Sequence, residues 1–149
     1  MTQPSVAIMD EPRTFILYGY WKAHDRDKTR GAEMMELLGQ VWTEVREKKL
    51  ANGGISYAVY DCGDIVFSGV ELKSADDSPT SLVKKHVAFT RYAYSKHIGP
   101  VSELGTAYTR MEAHITKLGL TGTCPSMEIY GHWTSDESKS ETEIFISVE

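Results

Sequence analysis

Two hydrophobic rhythms alternate along the chain. Runs rich in aromatic and β-branched residues, bounded by Gly, Asp, Ser or Pro, predict strands over 14–21 (TFILYGYW), 55–60 (ISYAVY) and 65–72 (IVFSGVEL). Three more follow over 86–94 (HVAFTRYAY), 126–133 (SMEIYGHW) and 141–148 (ETEIFISV). Between the first and second runs, Met34, Leu38, Val41 and Val45 step by 4, 3 and 4, which predicts a helix over 33–50. Between the fourth and fifth, Val101, Leu104, Tyr108, Met111, Ile115 and Leu118 repeat the pattern. Gly99-Pro100 suits the opening of that second helix. Gly119, and Gly53-Gly54 in the first half, sit where the two helices should stop.

Each half therefore reads strand, helix, strand, strand, and the halves match in order. Leu38-Gly39 with Trp42-Thr43 corresponds to Leu104-Gly105 with Tyr108-Thr109 at an offset of 66. Tyr57–Tyr60 aligns with Met127–Tyr130 at 70, Phe67–Glu71 with Phe145–Glu149 at 78, and Tyr18–Tyr20 with Tyr92–Tyr94 at 74. Four matches in sequence order predict a duplicated βαββ unit, with half-repeats over about 13–72 and 86–148 joined by a polar linker over 73–85. The expected fold is α+β: one domain over 1–149 with pseudo-two-fold symmetry, an antiparallel curved sheet, two helices on one face and a ligand groove on the other.

Composition narrows the function classes. Sixteen basic and 21 acidic residues in 149 give a net charge of −5, and the sequence pI is about 5.5. That balance disfavours direct nucleic-acid binding, which needs a basic patch. A hydrophobic fraction of 41% and a charged fraction of 25% describe a globular domain. No apolar run approaches the roughly 18 residues of a membrane helix, and no export signal opens the chain, so a cytoplasmic protein is expected. Cys62 and Cys124 form no CxxC pair, which predicts two free thiols and a reducing compartment. The five histidines show no metal-ligand spacing, and there is neither a phosphate loop nor a GxSxG elbow. No cofactor and no metal are expected.

The second half carries a family resemblance. Tyr92-Ala93-Tyr94-Ser95-Lys96-His97-Ile98-Gly99-Pro100, the Leu104-Gly105…Tyr108 helix, Met127-Glu128-Ile129-Tyr130 and Thr142–Val148 together resemble the gyrase-inhibitor-like effector-binding domain. That domain is often fused to helix-turn-helix regulators of the AraC and MerR types. The resemblance runs from about Arg13 to Val148, and one departure is Ser147, where the family usually carries proline. It implies a tandem βαββ fold, a pocket between the halves, and bulky apolar cations bound by aromatic walls and a buried glutamate. Some free-standing members resemble hydrolases of cyclopropane-containing toxins, and others act on gyrase by protein contact. No helix-turn-helix fits within the first twelve residues.

With the resemblance in hand, Glu128 is the first candidate ligand residue. Alternation puts it on one face with Tyr130, opposite Met127 and Ile129. If Met127 and Ile129 pack under the helices, Glu128 faces the groove, where an incoming cation would supply its missing partner. Glu143, on the same face as Phe145 and Ser147, is the second candidate carboxylate. Tyr60, Tyr92, Tyr94, Trp42, Tyr108 and Trp133 complete the aromatic set, since ring faces attract cations and stack on flat apolar groups. The expected partner is a small amphipathic cation, with a homodimer or a separate protein partner left open. A stand-alone binding module, a hydrolase using Glu128 or Glu143 as base, and a gyrase-interacting protein are the competing readings.

Overall fold

The structure, a computed structural model, describes residues 5–73, 80–132 and 134–149. Its fold is α+β, with eight antiparallel strands and two α-helices. In chain order these are β1 (Ala7–Met9), β2 (Arg13–Ala23), α1 (Arg30–Glu47), β3 (Ser56–Asp61), β4 (Ile65–Val70) and β5 (Val83–Phe89). Then follow β6 (Tyr92–Ile98), α2 (Leu104–Lys117), β7 (Gly122–Tyr130) and β8 (Glu141–Val148). The chain divides into two compact units, Thr14–Val87 and the residues up to Arg13 together with Ala88–Glu149.

In the Thr14–Val87 unit the strands run β3-β4-β2-β5, and α1 covers one face. Thr29 caps α1 by accepting the Ala32 amide at 3.1 Å, which satisfies one orphan donor of the first turn. Val41 and Val45 pack with Val70, and the Ser68 hydroxyl donates to the Met34 carbonyl at 2.8 Å. Gly19 of β2 stands opposite Gly69 of β4, and a β-carbon on Gly19 would run into the β4 backbone.

In the second unit the order is β1-β6-β8-β7, with α2 laid on one face. Ala107, Met111 and Ile115 of α2 close a core with Ala93, Ile144, Ile146 and Val148. Both units thus place the strand before the helix beside the last strand, and the last beside the middle one: β2-β4-β3 and β6-β8-β7. The matched helix motif is physical as well as textual. Thr43 donates its hydroxyl to the Gly39 carbonyl at 2.9 Å, and Thr109 does the same to Gly105 at 3.0 Å.

Both helices also end alike. The Leu120 amide reaches the Ile115 carbonyl at 3.1 Å past Gly119, whose φ is +74°. In α1 the Leu50 amide reaches Val45 at 3.0 Å past Lys49, whose φ is +53°. A lysine takes the left-handed position there, so α1 stops before the Gly53-Gly54 pair that marked its end in the sequence.

Other boundaries differ from expectation. The run over 86–94 is not one strand but parts of β5 and β6, with Thr90 and Arg91 between them. β5 already begins at Val83, inside the predicted linker, while 74–79 and Trp133 lie outside the described residues. β1 has no counterpart in the sequence reading. Ser147 does not interrupt β8: it pairs with Tyr92 of β6, and its hydroxyl donates to the Pro125 carbonyl at 2.7 Å. Neither cysteine is a free thiol: Cys62 and Cys124 are both disulfide-bonded. Motif spacing reports local pairs only, so the expectation of free thiols falls. Among the described residues no helix is long and apolar enough to cross a membrane.

Candidate ligand site

Glu128 sits in the middle of β7, opposite Ile144 of β8, and Tyr130 stands opposite Thr142. Ile144 packs beneath α2, so Glu128 and Tyr130 face that helix, while Met127 and Ile129 face away. This reverses the orientation that the sequence reading favoured. The carboxylate is 5% exposed. Tyr108 of α2 donates its hydroxyl to Glu128 Oε2 at 2.5 Å, and Tyr130 donates to Oε1. Both are neutral donors, and among the described residues no lysine, arginine or histidine forms an ion pair with Glu128. The oxygens are therefore hydrogen-bonded while the charge is left without a countercharge.

A cavity of about 570 Å³ lies beside this cluster in the same unit. Tyr108 forms part of its wall, as do Ser126, two residues before Glu128 on the same face, and Ile146, opposite Ser126 on β8. Ile115 and Leu120 supply apolar surface, and Glu112 adds a second carboxylate. Glu128 does not itself line the cavity; Tyr108, which does, connects the two through its hydroxyl.

The other predicted residues of this unit occupy the opposite face of the sheet. Glu143, Phe145, Tyr92 and Tyr94 share it through the β6–β8 register. Phe145 is fully buried at the centre of a ring cluster, with centroids of Tyr94, Tyr92 and Phe89 at 5.2, 5.4 and 5.5 Å. The Arg13 guanidinium lies 5.4 Å from the Phe145 centroid. Tyr94 donates its hydroxyl to Glu143 at 2.7 Å. Burial, and then that carboxylate, push the Tyr94 phenol well above its ordinary range, so it remains a neutral donor. Glu128 and Glu143 thus belong to two separate tyrosine–carboxylate sets.

Tyr60 and Trp42 lie in the Thr14–Val87 unit, on its α1 side. Tyr60 stands opposite Val66, and the Trp42 indole N–H donates to the Ser56 hydroxyl at 2.9 Å. The polar group that sequence reasoning missed there is Glu33. It is fully buried, with Lys22 Nζ at 2.6 Å, His24 Nδ1 at 2.5 Å and the Asp25 amide at 3.0 Å. The hydrogen bond from Lys22, aided by His24 and the Asp25 amide, outweighs burial and holds the Glu33 carboxyl at about 2. With Thr29 at the cap, this cluster ties the start of α1 to β2. Its sequence signal was Lys22 and His24, two apart where β2 ends, a spacing that brings both to one side. Among the described residues no group of His, Cys, Asp and Glu could hold a metal ion.

No protein-family model matches the chain. No functionally curated protein matches it. Solved structures do. The C-terminal domain of EcmrR superposes with a TM-score of 0.72 at 18% identity, covering 98% of each chain. The fold is therefore that of the EcmrR C-terminal domain. EcmrR in a DNA complex matches over 57% of its own length, so this chain spans little more than half of that protein. SAV2435, solved bound to tetraphenylphosphonium, matches with a TM-score of 0.59 at 13% identity, over 99% of this chain and 94% of that one. A hydrolase from Listeria innocua matches with a TM-score of 0.58 at 14% identity, over 100% and 94%.

Proposed function

We propose that this protein is a small-molecule-binding module for bulky apolar cations, of the gyrase-inhibitor-like type. The observation that carries the reading is Glu128: a carboxylate 5% exposed, met by two tyrosine hydroxyls and by no cation among the described residues. Burying a charge without a countercharge is costly, and a bound cation would recover that cost. Rotation of the Tyr108 ring would open Glu128 to the neighbouring 570 Å³ cavity, a volume suited to a drug-sized ligand. Tyr108 and Tyr130 would then face the ligand as aromatic walls. The tetraphenylphosphonium found on SAV2435 supports the ligand class by analogy of fold. Glu143, Tyr94, Tyr92, Phe145, Tyr60 and Trp42 take supporting parts in this reading, as packing around their own carboxylate or helix.

The test is a pair of calorimetric titrations, with tetraphenylphosphonium and with neutral triphenylphosphine oxide. Glu128→Gln should weaken the cation by about 10–100-fold, the scale of a charge-assisted contact, and leave the neutral compound nearly unchanged. Equal affinity of wild type and variant for the cation would refute the assignment. A second reading, hydrolysis, is favoured by the Tyr130–Glu128–Tyr108 arrangement, which juxtaposes a base with two phenolic acids. Turnover of a strained electrophile that Glu128→Gln abolishes would select it.

A further inference from the structure

The face of the Thr14–Val87 unit turned away from α1 carries a cavity of about 290 Å³ that the proposed cation site does not use. Trp21 of β2 stands opposite Phe67 of β4 in register, and Ile65 shares their face two residues away. Phe67 is 1% exposed and forms a floor, whereas Trp21 is 55% exposed and stands beside the cavity as a wall. Val83, at the start of β5, completes the apolar lining and is itself exposed. An indole with most of its surface in water, next to a concave apolar floor, is the kind of exposed patch that marks binding.

The charges around this cavity have a definite sign. Lys85 reaches over the Phe67 ring, its Nζ 5.9 Å from the centroid, and ends 2.6 Å from Asp61 Oδ2. Burial works to raise the Asp61 carboxyl, but the Lys85 hydrogen bond and the Cys62 amide outweigh it and hold the carboxyl below its usual range. Those two charges cancel. Lys84 also lines the cavity and has no carboxylate partner among the described residues. One uncompensated positive charge therefore borders an aromatic floor and wall, the reverse of the situation at Glu128.

We propose that this cavity binds a small planar aromatic carboxylate, its ring stacked on Trp21 above Phe67 and its carboxylate at Lys84. Offset stacking on the exposed Trp21 indole favours a flat aromatic body over an alkyl chain. A cation would meet the net positive charge of the two lysines and Asp61, and a neutral ring would leave Lys84 unused. This site is independent of the Glu128 reading, because every residue that lines it lies in the other unit.

The experiment is an NMR titration of the full ¹⁵N-labelled chain with 2-naphthoate and, in parallel, with 2-naphthamide. Saturable shifts of the Trp21 indole N–H and of the Lys84 and Lys85 amides are expected with naphthoate. The amide should bind about fivefold more weakly, the scale of a solvent-exposed ion pair. Lys84→Gln should bring naphthoate down to the affinity of the amide, and Trp21→Ala should abolish saturable binding. Both substituted side chains lie at the surface, and preserved spectral dispersion will show that the variants fold. Shifts centred elsewhere, equal affinity for acid and amide, or indifference of naphthoate to Lys84→Gln would each overturn the proposal.

Discussion

Gly19→Ala tests a glycine position with no room for a β-carbon. A β-carbon built on Gly19 falls 1.8 Å from the Ser68 carbonyl oxygen and 2.7 Å from the Gly69 α-carbon, whereas real contacts stop near 3.0 Å. The obstacle is backbone on the neighbouring strand, so no rotamer relieves it; β2 and β4 must separate by more than an ångström. Strands are held about 4.8 Å apart by their ladder bonds, and a displacement of that size breaks the bonds on either side of the Gly19–Gly69 pair. Two or three backbone hydrogen bonds at about 1 kcal/mol each give a loss of roughly 2–3 kcal/mol. Displacement of the packed Phe67 ring over Gly69 adds a further overpacking cost of about 1 kcal/mol. The expected destabilisation is thus about 3–4 kcal/mol, or roughly 6–16 °C in melting temperature for a chain of this size. The assay is urea unfolding followed by circular dichroism, with Gly39→Ala as the matched control. Gly39 lies within α1 with nothing inside 4 Å of its would-be β-carbon, and alanine there should stabilise by about 0.5–1 kcal/mol. A Gly19→Ala protein with the wild-type midpoint would show that β2 and β4 do not meet as described.

The remaining predictions concern charge, helix ends and sulfur. Glu33, held at about 2 by Lys22, His24 and the Asp25 amide, has a depressed folded-state pKa relative to about 4.5 when free. Its contribution is therefore complete above pH 4.5 and is lost as pH falls toward 2. The stability gap between wild type and Glu33→Gln should close over that window, and a gap unchanged at pH 2.5 would contradict the clamp. Lys49→Gly should stabilise by about 0.5–1 kcal/mol in thermal unfolding, because glycine adopts the positive φ of +53° without strain. Alkylation without reductant should modify no cysteine by mass spectrometry; two modified cysteines would contradict the bonded state of Cys62 and Cys124.

The helices and most strands were legible because each buries one face. Met34, Val41 and Val45 in one half and Met111 and Ile115 in the other repeat at helical spacing because they press on a sheet. The turn at Thr90 and Arg91 was illegible, since neither residue is a turn former and both flanks read as continuous strand. β7 gave a subtler failure. Alternation correctly joined Glu128 with Tyr130 and set them against Met127 and Ile129, but all three of Met127, Glu128 and Ile129 are buried. With both sides of the strand covered, the pattern says which residues share a face and not which face meets the helix. The exposed Trp21 escaped notice for the converse reason, because a tryptophan in a strand reads as core.

Hydrogen bonds and countercharges do different things for a buried carboxylate, and among the described residues Glu128 has only the former. Its two phenol donors engage one lone pair on each oxygen, while no cation among the described residues neutralises the monopole. Attraction between a monopole and a diffuse cation falls off slowly with distance and hardly depends on angle. On the proposed reading, such a host would sort its guests by the sign of their charge and tolerate wide variation in their shape.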